Sequence, residues 1–257
     1  MTQTITKFKD AFVQEQGNGR LNDEAKLVVE YLESNDVEIT FFTDKFIRRR
    51  SLDLTPQSLV MADIPCMHGA MKQLGINIPV ANSYPASLKQ YLRRNIWESE
   101  LSQLLAEIMN GLSAPVFAKP GDTQKKFTGR VFESMADLYF IPGCSKKTRI
   151  VCSDVVHWIS EYRVYVVDSE IVDISHYAGK TDVALDEAVV SAAIQALDRA
   201  GESYAGYGID FGVLGTGETA LIEMNDGYGL GAYNISAQDY GRLVSARWAE
   251  IVATLQG

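Results

Sequence analysis

Asp210, Glu223 and Asn225 are three oxygen-bearing side chains that a short hairpin would bring to one face. Residues 208–214 (GIDFGVL) and 219–225 (TALIEMN) read as strands joined by Gly215, Thr216, Gly217 and Glu218. Glycine-containing connections of this length make hairpins. With that loop as the turn, Asp210 stands opposite Glu223. Asn225, two residues further on, shares the face of Glu223. Carboxylates facing each other across a ladder repel, so the arrangement suits a hard cation. Mg²⁺ takes one or two carboxylates and fills its other positions with phosphate oxygens and water. The competing reading is a half-exposed hairpin with unrelated acidic residues.

Four cationic positions accompany the acidic hairpin. Lys119 ends a strand over residues 113–119, and Lys126, with Lys125 beside it, lies in the following loop PGDTQKKFTGR with Thr128 and Gly129. Arg163 is at the middle of a strand over 159–167 (ISEYRVYVV), where it shares a face with Glu161 and Tyr165. Lys180 follows the return strand over 170–177. Lysine and arginine are seldom buried without partners. Glu161 and Arg163 therefore mark either a cross-strand ion pair on a wet face or a polar site. A triphosphate site needs Lys and Arg donors, backbone N–H groups from a glycine-containing loop, and Mg²⁺ on carboxylates. All three parts occur here in one chain. The loop is not GxxxxGK[ST], and no kinase GxGxxG, HRD or DFG is present.

The elements that must position these groups alternate. Asn22 or Asp23 caps a helix over 24–34, followed by a strand over 37–43, expected to be buried. A basic stretch over 45–51 reads as a solvated loop or short helix. A strand over 59–61 comes next, then a helix over 66–74 closed by Gly75, and a short strand over 76–80. Helices are expected from 83 and over 97–110, strands over 130–132 and 148–152, and a connector over 153–157. A helix over 186–200 precedes the hairpin. The glycine-rich run 225–231 reads as a mobile turn, and an amphipathic helix over 238–255 closes the chain.

The 257 residues suffice for one large or two modest domains, and 46% hydrophobic with 22% charged residues is ordinary globular composition. A net charge of −9 without a basic block argues against a nucleic-acid scaffold. No stretch is long and apolar enough for a membrane span or signal peptide, so a cytoplasmic protein is expected. Cys66, Cys144 and Cys152 suit reduced thiols, and the scattered His68, His157 and His176 form no zinc motif.

The motifs VFAKPGDTQKKFTG, SEYRVYVVDSEIVDISHY, YGIDFGVL and ALIEMNDGYGLGAYN, in this order over roughly residues 84–248, resemble those of the ATP-grasp superfamily. The likeness is to its small bacterial and phage-associated, peptide-ligase-like clade. The resemblance implies an α+β fold in which two α+β subdomains, about 83–155 and 156–257, sandwich ATP. A small α/β domain over 1–82 would precede them. It implies that Lys119, Lys126 and Thr128 contact ATP phosphates and that Ser153, Asp154, Val155 and Val156 read the adenine edge. Glu161 would face the ribose or a phosphate-binding cation. Arg163 and Lys180 would act on the phosphates or an acyl-phosphate, and Asp210, Glu223 and Asn225 would hold Mg²⁺. The implied activity is an ADP-forming carboxylate–amine ligase with ATP and Mg²⁺ as cofactors. Its partners would be small-molecule or peptide carboxylates and amines, without nucleic acid or membrane, and a homodimer is left open. A kinase-like phosphotransferase and a nucleotide-binding module without turnover are the alternatives.

Overall fold

The computed structural model describes residues 8–121, 127–141 and 143–256. They form a mixed α+β chain with two compact units, Met1–Tyr91 with Ile159–Gly257, and Leu92–Trp158.

The first unit begins with a parallel sheet of order β2-β1-β3, built from β1 (Asp10–Gln14), β2 (Glu38–Phe42) and β3 (Ser58–Met61). Between the first two strands runs α1 (Asp23–Glu33), whose N-terminus is capped by Asn22 accepting the Ala25 N–H at 2.8 Å. Its buried residues Ala25, Val28, Tyr31 and Leu32 recur at helical spacing. The basic stretch becomes α2 (Asp44–Arg49), and α3 (Ile64–Leu74) is capped by Asp63. Two expectations fail here. The β2 strand is not a buried strand but an edge, with Phe41 48% exposed, because β1 takes the centre of the sheet. Residues 76–80 form no strand. Gly75 (φ +78) ends α3, and the Ile76 N–H closes back on Met71 O at 2.8 Å, so Ile76 is spent on the helix terminus.

The second sheet of this unit has the order β11-β10-β8-β9, from β8 (Trp158–Val167), β9 (Glu170–Gly179), β10 (Gly206–Leu214) and β11 (Thr219–Asp226). The helix α5 (Glu187–Ala200) lies between the two hairpins in sequence, and α6 (Ala237–Ala253) closes the chain. One apolar core joins residues of β1 and β3, α1 and α3, Tyr165 and Val167 of β8, and Tyr240, Leu243 and Trp248 of α6. Trp248 Nε1 donates to Ser58 O at 2.8 Å, which ties α6 to β3.

Gly241 of α6 faces the ring of Tyr31, which is 1% exposed; a Cβ there would lie 2.1 Å from the Tyr31 ring. In an open helix, Gly→Ala stabilises by about 1 kcal/mol. Here overpacking, which costs about 1–3 kcal/mol, works against that gain. Gly241→Ala is therefore expected to lower the urea midpoint at unchanged slope. A raised midpoint would show that Tyr31 can swing aside.

In the Leu92–Trp158 unit, the sheet order is β4-β7-β5-β6, all neighbours antiparallel, from β4 (Ile96–Glu100), β5 (Val116–Pro120), β6 (Arg130–Phe132) and β7 (Arg149–Asp154). The single helix expected over 97–110 is instead β4 followed directly by α4 (Leu101–Asn110). Glu100 and Gln103 form a capping box that starts the helix at Leu101, leaving Trp97 to pair with Cys152. The core of this unit gathers Leu101, Leu104, Ile108, Ala118, Phe127, Phe132, Ile150 and Cys152. Among the described residues, no helix is long and apolar enough to cross a membrane.

Candidate functional site

The hairpin of β10 and β11 does set Asp210 opposite Glu223, but by a different route from the one expected. Next to the turn, Val213 faces Thr219 and Phe211 faces Leu221, a register that would carry Asp210 to Ile222. A bulge between Asp210 and Phe211 leaves Ile222 over and moves the pairing by one residue. A one-residue shift exchanges the faces of a strand, so the bulge is what puts Glu223 and Asn225 on the face of Asp210.

On the other side of β10, Arg163 of β8 grips Asp210 side-on: Nε donates to Oδ1 at 2.8 Å and Nη2 to Oδ2 at 2.7 Å. Both side chains are buried, 8% and 3% exposed. Such paired forks are among the stronger charge-assisted bonds. Burial works against the charge of Arg163, but the hydrogen bonds and charge of Asp210 outweigh it and hold the guanidinium above the ordinary arginine range. Burial pushes Asp210 upward, opposed by Arg163, while Glu223 and Glu161 add like charge. Asn225 Nδ2 also donates to Asp210 Oδ2, at 3.3 Å. Gly208 leaves the room for this: a Cβ there would lie 3.3 Å from Arg163 Cδ and closer still to Leu230.

Glu161, two residues before Arg163, accepts from Tyr177 Oη at 2.9 Å. A register shift in the β8–β9 ladder, between Glu161 and Tyr162, accompanies this contact. Burial first, then the charges of Asp210 and Glu161, raise Tyr177 well above its ordinary value, so it stays protonated and donates. The ring of Tyr177 stacks on Tyr233 at 4.8 Å, and the Arg163 guanidinium lies over Tyr233 at 5.0 Å.

The glycine-rich segment after β11, expected as a mobile turn, is strapped to the sheet. Gly231 O accepts from Arg163 Nη1 and from Tyr165 Oη, each at 3.2 Å, and Tyr165 Oη accepts from the Tyr233 N–H at 2.9 Å. Burial pushes Tyr165 up to about 12. Leu230 O accepts from Tyr240 Oη, and the Ala232 N–H reaches Glu24 Oε1 at 3.3 Å. Sequence reasoning missed Tyr165, Tyr177 and Tyr233. Tyr165 alone carried a signal, as the next residue on the face of Arg163.

The other expected site residues are placed as follows. Lys180 is exposed just beyond β9, its N–H bonded to Ile159 O at 2.8 Å. Gly179 (φ +79) makes that close approach, since a Cβ there would meet Ile159 O at 2.2 Å. Lys119 is half-buried on β5 and paired with Val151, and Thr128 is exposed. Lys126 lies outside the described residues. The connector is shorter than expected: Ser153 and Asp154 belong to β7, paired with Phe117 and Val116, and only Val155, Val156 and His157 link β7 to β8. Asp154 accepts from the backbone and side-chain nitrogens of Asn95 at 2.9 and 2.8 Å.

Oxygen donors of the kind Mg²⁺ prefers are therefore concentrated on one face of the β11-β10-β8-β9 sheet. Among the described residues, no three His, Cys, Asp or Glu side chains are arranged to hold a metal by themselves. The set fits a cation whose remaining positions are filled by phosphate and water.

Solved structures that share this fold include the following three. The D-cycloserine synthetase DcsG superposes with a TM-score of 0.61 at 11% identity, over 93% of this chain and 99% of that one. The D-alanine–D-alanine ligase from Bacillus anthracis, complexed with ATP, gives 0.55 at 14%, over 97% and 100%. The ATP-grasp ligase PsnB, complexed with a minimal precursor, gives 0.52 at 12%, over 95% and 99%. No curated protein matches the chain. A family described as an ATP-grasp domain, the second family of its clade, matches residues 91–243, and the chain belongs to that family.

Proposed function

We propose that the protein is an ATP- and Mg²⁺-dependent carboxylate–amine ligase. The observation that carries this reading is the buried Arg163–Asp210 pair beside Glu223 and Asn225. It sets a fixed guanidinium next to hard oxygen donors, on a chain of the ATP-grasp family. A substrate carboxylate oxygen attacks the γ-phosphorus of ATP, the bond to the bridging oxygen breaks, and ADP leaves. An amine then attacks the acyl-phosphate carbon, phosphate leaves, and the nitrogen loses a proton. Phosphoryl transfer of this kind depends on positioning and charge stabilisation more than on covalent chemistry from the protein.

In this reading Arg163 stabilises the charge on the transferred phosphoryl group, and its planar fork makes lysine a poor substitute. Lys180 assists at the phosphates. Asp210, Glu223 and Asn225 would hold Mg²⁺, which would supply charge neutralisation at the phosphates. Glu161, fixed by Tyr177, faces the ribose or a phosphate-bound cation. The nucleotide contacts proposed for Lys119, Lys126 and Thr128, and for Ser153, Asp154, Val155 and Val156, rest on the motif order. The neighbours lend support at the level of class, since the one complexed with ATP and the one complexed with a precursor are both named as ligases.

The test is an ADP-release screen of amino acids and short peptides, with hydroxylamine added to trap an acyl-phosphate. Hydroxamate formed in step with ADP is the expected result. A stable phosphoester would mark a kinase-like phosphotransferase instead. ATP binding without ADP release under any acceptor would mark a module without turnover.

A further inference from the structure

The parallel sheet β2-β1-β3 has two edges, and the fold treats them differently. β3 is buried along its whole length, and Trp248 Nε1 of α6 donates to Ser58 O at its start. β2 has no strand on its outer side among the described residues, and Glu38, Thr40 and Phe41 are exposed. Open edges are commonly blunted by lysine, proline, a bulge or a cover. Residues 38–42 read EITFF, β-branched and aromatic apart from Glu38, and their register with β1 runs without a bulge. Phe41 is 48% exposed, and Phe46 on the helix that follows is 46% exposed.

The pairing with β1 fixes which backbone groups point outward. Phe42 O accepts from the Glu15 N–H at 2.8 Å. Alternation along the strand turns the groups of Glu38 and Thr40 to β1 as well, and those of Ile39 and Phe41 outward. An added strand must therefore bond to Ile39 and Phe41. In an antiparallel pair of identical strands centred on Thr40, Ile39 of each copy faces Phe41 of the other. Every outward group then meets an outward group, and each such pair exchanges both of its bonds. A β-branched residue opposite an aromatic is also a favourable cross-strand pair. Charge selects the same arrangement. Ahead of the strand, the exposed Glu33, Asp36 and Glu38 are all acidic. After it, Lys45, Arg49 and Arg50 are exposed cations, while Arg48 is paired with Asp44. A parallel mate would set like charge against like. An antiparallel mate sets the acidic end of each copy against the basic end of the other.

We propose that the outer edge of β2 is a self-association surface, on which two copies of this chain pair antiparallel about Thr40 into one continuous sheet. A two-fold contact of this kind is closed, so it gives dimers rather than fibres. The proposal does not depend on the ligase reading.

The test is analytical ultracentrifugation of the full chain, with residue-resolved amide hydrogen exchange at low and high protein concentration. So short a strand buries little area, so micromolar association is expected, with the dimer dominant by about 100 µM. Exchange at Ile39 and Phe41 is expected to slow as the dimer forms. Thr40, bonded to β1 in either state, is expected to stay unchanged. A chain that remains monomeric overturns the proposal. So does a dimer in which Ile39 and Phe41 exchange as in the monomer, since its interface lies elsewhere.

Phe41→Lys is expected to weaken association by about tenfold or more, with the melting temperature of dilute protein unchanged. Equal association in this variant would overturn the proposal. Charge reversal checks the direction of pairing. Glu33→Lys with Glu38→Lys, and separately Lys45→Glu with Arg49→Glu, are each expected to be monomeric. An equimolar mixture of the two variant proteins is expected to form mixed dimers, because each reversed end then meets an opposite charge. No recovery in the mixture would overturn the antiparallel arrangement.

Discussion

Glu223→Ala is expected to reduce ADP release by a factor on the order of 10²–10³ while leaving the protein folded. The size follows from the cost of removing one charge-stabilising group from a phosphoryl-transfer or acyl-transfer site. The folding half of the expectation follows from position. Glu223 is only half-buried on β11, and its charge pushes the buried Asp210 toward its neutral form. Removing it relieves like-charge repulsion across the ladder, so the melting temperature should stay within a few degrees of wild type. Glu218→Ala, in the exposed turn of the same hairpin, is the control and should keep full turnover. Full turnover in Glu223→Ala would remove the cation from this hairpin. A large fall in melting temperature would show that Glu223 serves the fold rather than the site.

The hairpin was legible in the sequence because its signals are local: a glycine-containing turn, alternation on each strand, and an acid, acid and amide at matching positions. Even so, the register was right for a reason the sequence did not display. Only the bulge at Ile222 brings Asp210 to Glu223, and no propensity marks where a ladder will gain a residue. Arg163 was legible as a charge on a strand with an apolar opposite face, and its partner was not. The sequence left open whether it belonged to an ion pair on a wet face or to a polar site, and β10, much later in the chain, supplies Asp210. Tyr233 and Tyr177 were illegible because their stacking depends on where a glycine-rich segment lands. Tertiary pairing also overrode local pattern at Trp97, where an apparently helical stretch is held as β4 by β7. It did so again at Phe41, whose strand looks buried in sequence but lies at a sheet edge.

Arg247→Met is expected to destabilise the fold strongly, and its effect should reach the hairpin through the backbone. Arg247 is 5% exposed on α6 and forks onto Asp226, with Nε to Oδ1 at 2.7 Å and Nη2 to Oδ2 at 2.5 Å. Its Nη1 donates to Glu250 at 2.7 Å, and its guanidinium lies 3.9 Å from the centre of the Tyr204 ring. Asp226 is the last residue of β11, directly after Asn225, and it accepts the Tyr228 N–H at the start of the strapped segment. The close approach of Gly227 to Gly206 O, where a Cβ would lie at 2.3 Å, leaves this corner no slack. Glu250 is 39% exposed at its side chain and can turn to water, but Asp226, at 19%, would be left as a largely buried charge without its partner. Breaking one side of a buried pair costs about 3–5 kcal/mol. For a chain of this size, that corresponds to roughly 6–20 °C in melting temperature. Adding Asp226→Asn to Arg247→Met should recover part of the loss, since the stranded charge is then gone. A double-mutant cycle with no coupling would mean that Arg247 acts through its packing on Tyr204 alone. Turnover at temperatures where Arg247→Met remains folded should still be lowered, because the residue after Asn225 has lost its anchor. Full turnover there, with the stability loss present, would confine Arg247 to the fold and show that the position of Asn225 is set within the hairpin.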